Sequence, residues 1–168
     1  MVIPKEVKTI IEKLEKAGYE AYIVGGSVRD FLLGQDPKDW DVTTNAKPEE
    51  IQKVFPESFY ENKFLTVTVR TSSKKPELAE IEITTYRLEA DYSDKRHPDE
   101  VRYAKTLQED LSRRDFTVNA MALTERKTKN EKRKALEIVD LFGGQEDLKK
   151  KIIRTVGKPN ERFSEDAL

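Results

Sequence analysis

The stretch AYIVGGSVRDFLLG, residues 21–34, decides the fold. Residues 19–24 read as a buried strand running into Gly25-Gly26, and Ser27 then opens a short helical segment closed by Gly34. The reading is strand, glycine turn, helix, with Ser27 as the helix cap. Glycines at such a turn let backbone N–H groups approach a polyphosphate, and Arg29 supplies a guanidinium for it. Taken alone, paired glycines between a strand and a helix fit a plain tight turn equally well.

Upstream, Pro4 suits a first helical turn, and Val7, Ile10, Ile11 and Leu14 recur at helical spacing until Gly18. Downstream, residues 40–44 predict a second strand, and Pro48 opens a helix carrying Ile51, Val54 and Phe55. Residues 65–71 and 80–87 predict further strands, the second alternating Ile81 and Ile83 against Glu80, Glu82 and Thr84. Residues 89–105 are polar and read as a long mobile loop; residues 107–114 form a helical turn or two. The basic run 125–134 reads as a hairpin tip, residues 138–141 as β, 145–151 as a short helix and 152–156 as a last strand. A new helix is expected from about residue 160, cut short at Leu168. The pattern predicts an α+β fold, a small mixed β-sheet with helices on one face.

The chain has 168 residues, enough for one core. Lys and Arg total 31 against 32 acidic residues, so overall charge announces no nucleic-acid partner. Cysteine is absent and His97 is the single histidine, which excludes disulfides, thiolate zinc and imidazole metal sites. Any metal must be a hard cation on carboxylates. The N-terminus has no long apolar run, so no membrane is expected and the setting is read as cytoplasmic.

Such carboxylates occur in Asp39-Trp40-Asp41. On a strand, residues two apart share a face, so Asp39 and Asp41 would stand together with Trp40 packed behind. Two close carboxylates repel unless a cation such as Mg²⁺ neutralises them. An isolated Asp-x-Asp also reads as two solvated side chains, and Glu82 as an ordinary exposed glutamate. Three acids on adjacent strands, however, can hold two metal ions.

The order of glycine pair, Asp-x-Asp and lone acid resembles the DNA polymerase β-type nucleotidyltransferases. The longer runs DWDVTTNAKPEEIQKVFP, IEITTYR, EDLSRRDFTVNAMAL and DLFGGQEDLKKKIIRTVG resemble the class II tRNA nucleotidyltransferases. These are the CCA-adding enzymes with their A-adding, CC-adding and bacterial poly(A) polymerase relatives. The resemblance implies template-independent transfer of CMP or AMP from CTP or ATP to a tRNA 3′ end. A catalytically incomplete nucleotide- or RNA-binding fragment, and a bacterial poly(A) polymerase, are the alternatives.

By the resemblance, Asp39, Asp41 and Glu82 are catalytic, with Asp39 and Asp41 as Mg²⁺ ligands. Gly25, Gly26, Ser27, Arg29 and Asp30 line the triphosphate, and Arg113, Arg114, Asp115 and Asn119 the ribose and phosphates. Asp91, Tyr92 and Arg96 fall where the family carries a flexible loop that helps switch nucleotide choice. Residues 1–156 are the implied head domain, and 157–168 a linker with the first turns of a neck helix. Asp166 matches the Asp of the base-reading Glu-Asp-x-x-Arg pattern, and the chain ends where the Arg belongs. The neck, body and tail, or a partner chain, would be needed for full activity.

Overall fold

The computed structural model describes residues 2–61, 65–90, 100–127 and 134–165. Strand β1 (Ala21–Val24) lies near the middle of a seven-stranded sheet, because all four of its side chains are buried. On its one side come β2 (Asp41–Thr44), β5 (Glu80–Thr85), β4 (Thr66–Arg70) and β3 (Ser58–Glu61). On its other side lie β8 (Met121–Lys127) and β9 (Lys134–Asp140). The pair β2–β5 is parallel and every other pairing antiparallel, so the sheet is mixed.

One face is mostly apolar, with the buried hydroxyls of Thr44 and Thr85 hydrogen-bonded to the backbone carbonyls of Glu20 and Ala46. Ile23, Val42, Val67, Ile81, Ile83 and Leu123 point into it, where α1 (Lys5–Lys16), α2 (Gly26–Leu32) and α3 (Pro48–Val54) pack. Helix α1 presents Val7, Ile10, Ile11 and Leu14, the row its spacing predicted. Burying a side chain of this size contributes roughly 1.5–3 kcal/mol. Trp40 is buried in the same cluster.

The opposite face carries a smaller cluster, in which Tyr22, Val24, Tyr86, Leu111 and Ala122 meet Leu107 and Phe142. Leu107 and Leu111 come from α5 (Leu107–Ser112), whose first turn is held by a Thr106–Glu109 capping box. A four-residue helix, α4 (Pro76–Ala79), leads into β5. Helices α6 (Gly144–Lys150) and α7 (Pro159–Glu165) follow the sheet.

Several expectations are corrected. Ser27 does not cap α2; Gly25 occupies the N-cap, and the Ser27 hydroxyl is buried, donating to the Val24 carbonyl at 2.7 Å. The expected loop 89–105 begins and ends in paired strands, β6 (Arg87–Ala90) and β7 (Glu100–Tyr103), with its centre outside the described residues. Residues 152–154 are not a strand; one bridge, Phe116 to Thr155, is all that forms, and Ile152 and Ile153 are exposed. Strand β3, unread in the sequence, forms the sheet's edge. The basic run 125–134 joins the antiparallel strands β8 and β9, as the hairpin reading expected, with residues 128–133 outside the described residues.

Candidate active site

The pleat that sends Val42 and Ile83 into the core sends Asp41 and Glu82 to the opposite face. These two acids are register partners across the parallel β2–β5 pair, on neighbouring strands. Asp39 precedes the strand rather than lying on it, on an exposed bend. Its charge still reaches Asp41: burial first, then Asp39 and Glu82, push the Asp41 carboxyl up to about 6, against the pull of Arg114. Among the described residues no three acids are close enough to form a ready-made metal site. The donors are all carboxylate oxygens, and Asp41 is raised by burial and then by the neighbouring acids, an arrangement that fits a hard divalent cation.

Gly25 adopts φ 74°, and a Cβ there would stand 3.0 Å from an Arg114 Nη and 3.8 Å from an Asp41 carboxylate oxygen. Glycine is therefore required twice over, by conformation and by approach. Arg29 donates from Nε to Asp30 at 2.8 Å and from Nη1 to the Asn119 side-chain oxygen at 2.8 Å. Asn119 in turn donates to Asp115 at 3.3 Å. The glycine turn and the RRDFTVN segment, some ninety residues apart in sequence, thus share one polar network.

Arg114 is held by Asp110, a residue the sequence reading passed over. The Asp110 carboxylate is fully buried and accepts from Thr43 Oγ1 at 3.1 Å, the Arg87 N–H at 3.2 Å and Arg113 Nε at 3.1 Å. Arg114 Nη2 stands 3.8 Å away. Burial pushes the Arg114 guanidinium down, and Asp110 and Asp41 oppose the shift; it stays charged, since arginine does not deprotonate in proteins. Its Nε has no hydrogen-bond partner among the described residues. The readable signal was spacing: Asp110 precedes Arg113 and Arg114 by three and four positions on one helix.

Two further supports were missed. Asp147 of α6 is buried and accepts from Thr117 Oγ1 at 2.6 Å and from Arg154. Beside it a Cβ on Gly144 would fall 2.3 Å from the Thr117 carbonyl, so α6 can seat against the 3-10 turn Thr117–Asn119 only with glycine there. Arg162 of α7 donates to the carbonyls of Ser112 at 2.6 Å, Arg113 at 3.2 Å and Val156 at 2.9 Å, fastening α7 to the end of α5. Asp166, Asp91, Tyr92 and Arg96 lie outside the described residues.

A family model described as the Poly A polymerase head domain matches residues 21–154. This chain belongs to that family. A CCA-adding enzyme of Lactobacillus helveticus is 48% identical to this head domain over 160 residues, 95% of the chain and 37% of the relative. One from Geobacillus thermodenitrificans is 46% identical over 160 residues, 95% of the chain and 36% of the relative. The head domain therefore spans little more than a third of the length of these curated relatives. The crystal structure of Bacillus stearothermophilus CCA-adding enzyme in complex with CTP superposes with a TM-score of 0.79 at 38% identity, covering 99% of this chain and 37% of that one. Thermotoga maritima CCA-adding enzyme complexed with tRNA gives 0.69 at 28% identity, covering 99% and 36%. No helix among the described residues is long and apolar enough to cross a membrane.

Proposed function

We infer that this chain is the catalytic head of a template-independent tRNA nucleotidyltransferase, transferring CMP or AMP from CTP or ATP to a tRNA 3′ end. The observation that carries the reading is the register pairing of Asp41 with Glu82 beside Gly25 and Arg114, in a chain whose relatives are CCA-adding enzymes. The 3′-hydroxyl oxygen forms a bond to the α-phosphorus while the bond from that phosphorus to the pyrophosphate oxygen breaks. Arg29 and Arg114 offer guanidinium forks to the triphosphate, with the Gly25-Gly26 backbone close enough to touch it. Asn119 and Asp115 orient the ribose, and Ser27 contributes its backbone, its hydroxyl being spent on Val24.

Asp39 and Asp41 would hold Mg²⁺, with Glu82 alongside; a cation bound there would lower the pKa of the attacking hydroxyl and offset the charge on the leaving pyrophosphate. Residues 1–156 make up the catalytic head and 157–168 a linker with the first turns of a neck, and Asp166 contributes to reading the base. The surroundings are the cytoplasm, where CTP, ATP and tRNA are available.

The test is incorporation of radiolabelled CTP and ATP into tRNA lacking its 3′ CCA, with Mg²⁺, comparing the chain with Asp39→Ala/Asp41→Ala. Incorporation by the wild type and none by the double variant is expected. Equal incorporation by both would overturn the assignment of the acids, and none by either would leave a catalytically incomplete fragment.

A further inference from the structure

Strand pairing sets one continuous row across the site face of the sheet. Phe59 pairs with Thr68, Thr68 with Glu82, Glu82 with Asp41, and Asp41 with Val24. Directly paired residues project to the same face, so Phe59 stands on the face that bears the acids. The alternation agrees, since its neighbour Tyr60 packs against the apolar cluster of the other face.

Phe59 is an anomaly on that row. It is 51% exposed on the edge strand, where natural sheets place charge rather than a bare ring. The Arg70 guanidinium lies over it, 4.3 Å from the ring centroid, and is itself more than half exposed. Glu80 accepts from Arg70 Nε at 3.1 Å, which steadies the guanidinium through that one nitrogen.

The row has a direction. Arg29 and the glycine turn follow β1 on one side of Asp41, whereas Phe59 and Arg70 lie beyond Glu82 on the other side. At about 4.8 Å per strand, Phe59 is roughly 10 Å from Glu82 and roughly 14 Å from Asp41. An in-line displacement needs its nucleophile opposite the leaving pyrophosphate. If the triphosphate occupies the β1 side, the attacking hydroxyl arrives from the side of β5, β4 and β3.

Resting on the function inferred above, we propose that Phe59 and Arg70 form the platform for the acceptor RNA, a nucleobase near its 3′ end stacking on the ring and Arg70 meeting a backbone phosphate. The ring accepts any base, as a surface must that meets a 3′ end whose terminal nucleotide changes with each addition. The guanidinium supplies positive charge on the β3 side of the acids, where a backbone phosphate can meet it.

The experiment titrates the chain, in Mg²⁺, into fluorescently labelled tRNA lacking its 3′ CCA and into a short single-stranded RNA, with CTP binding measured in parallel by calorimetry. Phe59→Leu and Arg70→Ala should each weaken RNA binding about tenfold, the size expected for one lost stack or phosphate contact. Phe59→Tyr keeps the ring and should bind as the wild type does. All three should keep the wild-type CTP affinity and melting temperature. RNA binding unchanged in Phe59→Leu overturns the proposal, as does a parallel loss of RNA and CTP binding, which would mark a disturbed sheet edge. A wild type that binds CTP but no RNA also overturns it; one that binds neither brings down the inferred function with it.

Discussion

The two faces of the sheet follow opposite rules with residues that alternate one by one. Val42 and Ile83 are wholly buried among apolar neighbours, and each adds to stability by its size alone. Their strand neighbours Asp41 and Glu82 stand side by side with like charge, an arrangement that costs stability. The difference teaches where the molecule accepts strain: the core face is optimised for packing, while the site face keeps two like charges together beside a glycine whose positive φ would strain any other residue.

Breaking the site face should give the largest effect. Asp41→Asn is expected to lower turnover by at least about 10³-fold, or roughly 4 kcal/mol of barrier, in single-turnover incorporation. The same change should raise the melting temperature. The folded Asp41 carboxyl titrates at about 6, above its unfolded value near ~3.9, so the native state binds the extra proton. Metal-free wild type should therefore lose stability as pH rises through this window, and Asp41→Asn should lose that dependence, as melts in chelator at pH 5 and 7 will read.

The core face should answer in reverse. Ile83→Ala should cost about 2–5 kcal/mol in urea unfolding, with activity per folded molecule retained. A variant that kept stability but lost activity would erase the distinction between the faces.

Asp110→Asn sharpens the comparison, because Asp110 lies on the site side yet is fully buried and bonded to several donors. Losing its charge should cost about 1.5–3 kcal/mol of stability and also weaken CTP binding through Arg114. Combined with Arg114→Ala, its effect on CTP binding should vanish, which a double-mutant cycle would show.

The smallest effect is expected at Asp147. The hydrogen bond from Thr117, then Arg154, hold its carboxyl below the usual range, with burial opposing. Its contribution is present above the unfolded carboxylate value and is lost as pH falls through the folded one. Asp147→Asn should flatten acid unfolding between pH 5 and 3, followed by circular dichroism.

Local patterns were legible where one period ruled without competition. The α1 stripe, the strand into Gly25-Gly26, and the alternation around Ile81 and Ile83 all follow from helix and strand repeats that each residue obeys independently. Asp110 was not legible as a keystone, because an acid in the first turn of a helix looks solvated until the sheet closes over it. Strand β3 was missed because SFYE shows its alternation only against β4. Residues 152–154 looked like a strand by composition, yet no neighbouring strand offers them a ladder.

The sequence by itself determined helix α1, strands β1 and β5, the glycine turn and the family, since these depend on residue identity and short spacing. Only the tertiary structure decided that Asp41 and Glu82 are neighbours, that Arg29 reaches Asn119, and that Phe59 shares a row with the acids. Strand order and register arise from the packing of the whole sheet on its helices. A one-residue slip of a strand, invisible to local spacing, would turn Asp41, Glu82 or Phe59 to the other face.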